Sequence, residues 1–213
     1  MTTPAYHLVE TLPAGAEALT LEETRLHLRI SHDAEDALIA GLIATARMAC
    51  EQATGLSLIN RGYSLWLDCW PGQESRGWWD GVREGVRSIV PQAVLLPRPP
   101  LCSVEGVYIY DAAGVPATFP PAHYYADTLR RPGRLLLQTG IAAPAPARIA
   151  NGIEIRYTAG FGAAPQAVPA MLRQGMKQLV AYLYENRGDA PERALELSGA
   201  GILFRPFRMM RLA

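Results

Sequence analysis

Apolar side chains recur at helical spacing near both ends of this chain and at strand spacing between them. Thr20 followed by Glu23 forms an S/T-x-x-E capping box, which predicts a first helix from Leu21 to about Ile30. Ser31 and Asp33 are candidate caps for a second helix. In it Leu38, Leu42, Ala46 and Ala49 form one row, and Ile39, Ile43, Cys50 and Ala53 widen that row into a broad apolar face. Gly55 supplies its C-terminal stop. From about residue 60 the period changes to two: Tyr63, Leu65, Leu67 and Cys69 alternate with Ser64, Trp66, Asp68 and Trp70. Residues 71–92 are rich in Gly, Arg and Trp and read as one long loop.

Strand spacing then resumes. Val104, Val107 and Ile109 suggest a strand pair, or one strand with a bulge at Gly106, and Asp111 to Gly114 carry turn chemistry. Further strands are expected in HYYADTL, and in GRLLLQ after the Arg131-Pro132-Gly133 turn. Ile153, Ile155 and Tyr157 alternate with Glu154 and Arg156 until Gly160 and Gly162 break the pattern. Pro169 suits a first helical turn. Leu172, Met176, Leu179, Val180 and Leu183 form a helical stripe, with Gly188 as its stop. A short helix around Arg193–Leu197 precedes a tail flanked by Gly199 and Gly201.

This order predicts an α+β fold. A small helical bundle, with helices over about 20–30, 33–54 and 168–186, carries an inserted antiparallel β-sandwich-like block over about 60–160 and an extended C-terminal tail. The block holds roughly five to seven short strands. As domains, 1–59 with 165–198 make the discontinuous bundle, 60–164 the inserted β domain with its loop 71–92, and 199–213 a docking tail.

Charge adds an asymmetry. Formal net charge is zero, which argues against a dedicated nucleic-acid-binding module. Residues 1–59 nevertheless carry eight acids against three arginines, and residues 165–213 seven bases against four acids. The two ends can attract between neighbouring subunits, or the difference is ordinary surface scatter. Cys50, Cys69 and Cys102 are widely spaced, without a CxxC pair, and read as small buried hydrophobes in a reducing compartment. MTTPAYHLVE lacks the basic start and apolar run of a signal peptide, and no apolar stretch reaches the roughly 20 residues that span a bilayer.

No catalytic or metal-binding set emerges, and no cofactor is expected. His7, His27, His32 and His123 have no partner at helical ligand spacing. Gly160-Phe161-Gly162 stands between strand and helix as a phosphate loop does, but Ala163, Ala164 and Pro165 follow where Lys and Ser/Thr would be needed. Asp33, Glu35 and Asp36 are the acids that suit a helix start. Trp78 and Trp79 are candidate partner anchors or local packing. In the tail, Arg205, Arg208 and Arg211 recur every third residue, with Ile202, Leu203, Phe204, Pro206, Phe207, Met209, Met210 and Leu212 between them. Such a segment reads as a peptide that orders in a partner's groove. Packing on its own domain and contact with DNA phosphates are the two alternatives.

Three stretches resemble the phage head–tail connector (adaptor) family. They are LTLEETRLHLRISHDAEDALIAGLIATARMACEQATG, LPRPPLCSVEGVYIYDAAG and YTAGFG…VPAMLRQGMKQLVAYLYENRG. The ending ILFRPFRMMRLA is similar too, with Phe207 where the family usually has tyrosine. The resemblance implies a non-enzymatic particle protein of tailed phages or gene transfer agents, made in the bacterial cytoplasm and sited at the neck. It implies a homo-oligomeric ring, commonly twelvefold, under the portal protein. Such a ring extends the DNA channel without sequence-specific binding and offers a platform to the next component, a stopper or tail terminator. It assigns Ile202–Leu212 to portal contact, packs the helical bundle side by side in the ring, and carries no membrane role. Deleting Gly201–Ala213 is then expected to leave a folded subunit that no longer joins the portal.

Two other readings compete. One is a β-sandwich carbohydrate- or ligand-binding module using Trp66, Trp70, Trp78 and Trp79. The other is a hydrolase that gathers His27, His123 and a carboxylate.

Overall fold

Thr20 starts the first helix by accepting the Glu23 N–H on its Oγ1 at 3.1 Å, and α1 runs Leu21–Leu28. The Glu23 carboxylate is engaged with Arg173 and Lys177. Arg29, with φ of 60°, ends the helix. These coordinates are a computed structural model that describes residues 6–71, 93–187 and 191–209. Helix α2 covers Asp36–Thr54, so it starts later than Ser31 and Asp33 suggested. Neither residue caps it; the Asp33 carbonyl accepts the Asp36 N–H at 3.1 Å, and a turn occupies the gap. Gly55, at φ 78°, closes α2 as expected. Helix α3 spans Ala170–Glu185, α4 Pro191–Leu197 and α5 Ala200–Phe204, with a 3-10 turn over Arg205–Phe207.

The described residues fall into two units. The helical unit comprises Pro13–Arg61, Arg98–Pro100 and Ala159–Ala213; the β unit comprises Met1–Leu12, Gly62–Pro97 and Leu101–Thr158. In the helical unit Ile39, Ile43, Ala46 and Cys50 of α2 share a buried core with Leu172, Met176, Leu179 and Val180 of α3. Leu56, Leu58, Ile59, Ala194, Ala200 and Phe204 complete it. Each large side chain fully buried there contributes about 1.5–3 kcal/mol.

Glu51, on α2, is a buried acid beside this core. Its Oε1 accepts the Leu58 N–H at 3.1 Å and Arg61 Nη2 at 3.0 Å, and its Oε2 accepts Arg47 Nη1 at 3.1 Å. Arg47 continues to Glu17 at 2.7 Å. The Glu51 carbonyl accepts from Gly55 and, at 3.5 Å, from Arg98 Nη1. Around this acid three separate passages of chain are laced by backbone bonds. Ser57 N–H donates to the Pro99 carbonyl, Gly160 N–H to Pro100, Phe161 N–H to Leu58, and Asn60 N–H to Gly162. Gly160 is required there: its φ is 148°, and a Cβ would stand 2.5 Å from the Asn60 nitrogen.

In the β unit, one sheet has the order β1-β2-β8-β4-β5 and the other β3-β7-β6. The strands are β1 Tyr6–Leu12, β2 Arg61–Leu67, β3 Val94–Leu95, β4 Leu101–Tyr110, β5 Pro116–Phe119, β6 Tyr124–Asp127, β7 Arg134–Leu137 and β8 Ile153–Ala159. Pairs β1–β2, β4–β5, β3–β7 and β6–β7 are antiparallel. Tyr6 faces Leu67, and the register slips between Glu10 and Leu12. Tyr63, Leu65, Leu67, Val107, Ile153, Ile155 and Tyr157 of the first sheet are buried, as are Val94 and Leu135 of the second. The ring of Tyr157 stacks on Tyr63 at 5.6 Å, and its hydroxyl donates to the Pro97 carbonyl.

Strand β4 is one ten-residue strand, not a strand pair. From the same side of β8, Thr158 Oγ1 donates to Glu105 and Arg156 lies over the Tyr108 ring. Glu105 and Tyr108 are three apart, so a regular strand would point them to opposite faces; the alternation of β4 therefore breaks between them. On this face Glu154 is buried. Burial alone would raise its carboxyl, but hydrogen bonds from Arg156, Ser64 and Tyr110 outweigh that and hold it below the ordinary carboxylate range. The Tyr110 hydroxyl is pushed up, first by burial and then by its bond to Glu154.

Two predictions follow from these acids. Replacing Glu51 by Ala removes the buried carboxylate that Arg47, Arg61 and the Leu58 N–H share, so the helical unit should lose about 3–5 kcal/mol in denaturant unfolding; a loss under 1 kcal/mol would show that the cluster is not what holds the three passages. Folding lowers the proton affinity of Glu154, so its contribution is present above the ordinary carboxylate value of 4.5 and is lost as pH falls through the lower folded-state value. Glu154→Gln should therefore reduce the drop in unfolding free energy between neutral pH and about pH 3 relative to the parent protein. An unchanged acid profile would reject this assignment.

Candidate docking surface at the C-terminal segment

The C-terminal segment is built by a turn and two short helical pieces. Gly199, at φ 73°, leads α4 into α5. Ala200 and Phe204 are fully buried. The Phe204 ring lies against Gly175 of α3, where a Cβ would come within 2.5 Å of its Cε1, and Leu203 borders the same spot. Phe207 and Met209 pack on the core while partly exposed. Met209 N–H donates to the Thr54 carbonyl at 3.1 Å, and its side chain lies against Gly55. Residues 200–207 are therefore helical, not extended, and up to Met209 the segment packs on its own unit. The physical reason is Phe204: an aromatic side chain with a glycine seat in α3 gains more from burial than from a free tail.

The outward row is different in kind. Ile202 is 76% exposed, and Arg205, Pro206 and Arg208 are exposed with it. Among the described residues Arg205 and Arg208 form no ion pair. Leu195, Glu196, Gly201, Ile202 and Arg208 line a hollow of about 410 Å³. The arrangement presents one apolar and two cationic side chains beside a shallow depression that Glu196 also lines, a mixture that suits protein docking. The every-third-residue arginine spacing was legible in the sequence. That Phe204 faces the opposite way was not, because its seat is a glycine in a distant helix. Met210, Arg211, Leu212, Trp78 and Trp79 lie outside the described residues.

The other sequence candidates do not assemble into a site. His27 and His32 are exposed in the helical unit, while His123 belongs to the β unit and meets Phe119 edge-on at 5.3 Å. Glu35 accepts from Tyr184 and Arg187, and Asp36 pairs with Arg25, so two of the three helix-start acids serve helix packing. Among the described residues no cluster of His, Cys, Asp or Glu has the makings of a metal site. Trp70 is fully buried against Phe119 and Trp66 lies against Tyr110, so these two are packed in the β unit and do not form an open aromatic platform. Cys50 is buried, which pushes its thiol well up. Cys102, by contrast, is exposed and Cys69 half-buried, against the expectation for both. No helix among the described residues is long and apolar enough to cross a membrane.

Residues 18–85 match the family described as phage gp6-like head-tail connector protein. No curated protein matches the chain by sequence. Solved structures extend the likeness over nearly all of it. A chain from the neck of an empty gene transfer agent (GTA) particle computed with C6 symmetry is 28% identical, with TM-score 0.74 over 97% of each chain. One from the virion of the native GTA particle is 28% identical, with TM-score 0.72 over 97% of each. One from the neck of the native GTA particle computed with C12 symmetry is 26% identical, with TM-score 0.66 over 97% of each. The matched segment contains α1, α2 and β2, with Glu51, Arg47, Leu58 and Arg61, and the structural likeness spans both units. In sequence over residues 18–85 the chain is similar to phage head–tail connector proteins, and over nearly all of its length it shares the fold of chains from gene transfer agent necks.

Proposed function

We propose that this protein forms a ring at the neck of a tailed phage or GTA particle, joins the portal protein to the next neck or tail component, and lines part of the DNA path. The observation that carries this reading is the likeness over 97% of the chain to proteins in GTA necks computed with C6 and C12 symmetry. Twelve copies and a stopper or tail terminator as lower neighbour suit that likeness. A net charge of zero suits a channel wall that DNA slides past, since phosphate binding scales with the number of cationic contacts. The portal contact is assigned to the C-terminal segment in a revised form. Ile202, Arg205 and Arg208 face the portal, joined by Met210, Arg211 and Leu212, while Leu203, Phe204, Phe207 and Met209 fix the segment to its own unit.

The revision changes the experiment. Deleting Gly201–Ala213 would remove Phe204 from the core, so failure of a truncated chain to assemble does not separate lost docking from lost folding; side-chain changes are the cleaner test. Phe204→Ala should cost about 3–5 kcal/mol in denaturant unfolding. The triple variant Ile202→Asp, Arg205→Glu, Arg208→Glu should unfold within about 1 kcal/mol of the parent, as surface changes do. Yet it should be missing from purified particles, or the particles should lack tails. Normal incorporation of this folded variant would remove the portal assignment.

A further inference from the structure

Arg205 and Arg208 bracket one 3-10 turn, and the Arg208 N–H donates to the Arg205 carbonyl at 3.2 Å. Both side chains are exposed, and no acid follows Glu196 in the sequence. Glu196 on α4 is exposed too, and with Arg208 it puts both signs of charge at the hollow. Among the described residues none of these three side chains forms an ion pair. The rest of the lining is apolar: Leu195, Ile202 and the backbone of Gly201, where a Cβ would stand 3.3 Å from the Leu195 carbonyl. At about 410 Å³ the hollow has the size of a small-ligand site, enough for one bulky side chain.

We infer that this hollow is a socket for an acidic segment of a partner protein. A bulky apolar side chain of that segment fills it against Leu195 and Ile202, and carboxylates beside that side chain meet Arg205 and Arg208. The inference rests on the docking reading above and supplies the chemistry of its partner. Exposed arginines keep their water until something covers them. A neutral or basic surface would strip that water and give no counter-charge, whereas an acidic one replaces it. DNA phosphates would also satisfy the arginines. They would, however, bring negative charge beside Glu196 and leave Leu195 and Ile202 against a hydrophilic backbone, so the lining favours a protein. Glu196 also sets a direction: it repels an acid laid at its own end of the hollow, so the segment fits one way round.

The test compares variants of the full-length chain for incorporation into particles. Arg205→Lys with Arg208→Lys keeps the charge; Arg205→Gln with Arg208→Gln removes it. All these side chains are exposed, so both pairs should keep the parent's unfolding curve. The lysine pair should be incorporated within about threefold of the parent, and the glutamine pair about tenfold less or worse. Equal incorporation of the two pairs, high or low, would overturn the acidic partner. Ile202→Asn, also folded, should lower incorporation without touching the charges; no change would overturn the apolar seat. Binding of the purified chain to nuclease-treated heads that lack it separates the readings. Binding that weakens with salt, less steeply for the glutamine pair, is the expected result. Binding only to heads that still hold DNA would assign the arginines to phosphate and overturn the inference. No binding to heads at all, with the lysine–glutamine difference in particles intact, would remove the portal reading and keep the acidic partner.

Discussion

The helical unit depends on a carboxylate in an expensive place. Glu51 lies in the last turn of α2, where the helix dipole is negative, and it is almost wholly buried. A lone charge there would be untenable. Arg47 and Arg61 supply the counter-charge, the Leu58 N–H adds a third donor, and Arg98 covers the carbonyl end of the same residue. The carboxylate's partners lie within ten residues of it, and Arg98, far away in sequence, reaches its backbone carbonyl. The acid is thus a reason for residues 57–61 to fold back beside α2; backbone bonds then bring in residues 98–100, and Gly160 lets a third passage run backbone to backbone along Asn60.

That arrangement explains where the family likeness lies. The first resembling stretch ends just after Glu51, the second contains Arg98, Pro99 and Pro100, and the third begins with the Tyr157–Gly162 passage. Each contributes to one laced region of the helical unit. None of these residues faces an open site. Of the glycines that superficially suggest a phosphate loop, Gly160 is small because two backbones touch, and Gly162 because the Ala167 methyl lies against it. The likeness marks architecture.

Helices α2 and α3 were legible because their apolar stripes are long, and Gly55 marked the end of α2; α3 ends at Glu185 with Asn186 as its cap, ahead of the expected stop Gly188, which lies outside the described residues. Strands with one buried face were legible by alternation, as in β2 and β8. Other parts were hidden for identifiable reasons. Strand β1 is nearly all exposed, so it has no alternation to read, and β3 is only two residues long. Glu154 sits at a polar position of an alternating strand, yet it is buried by aromatic and arginine side chains of its own face. Ser31 and Asp33 have cap chemistry, but the turn to Glu35 intervenes. In the tail, Gly199, Gly201 and Pro206 look like breakers. Gly199 supplies the left-handed turn, and Pro206 fits a 3-10 turn that needs no N–H from it. The outward side of that segment was half legible: the arginine period was visible and the direction of Phe204 was not.

The same internal use of charge decides what the outside can do. Arg25, Arg47, Arg61 and Arg173 are all engaged with acids within the helical unit. This removes charge from the free side of α2 and leaves Arg205 and Arg208 among its exposed cations. One neutral surface and one cationic surface therefore arise from a chain whose net charge is zero. Unlike surfaces are what directional assembly requires, because a subunit with identical sides pairs with itself and stops. Since the C-terminal segment is already folded onto its unit through Phe204, its outward row is ordered in the isolated subunit, and a protein that bound there would cost it less conformational entropy than a free peptide would lose.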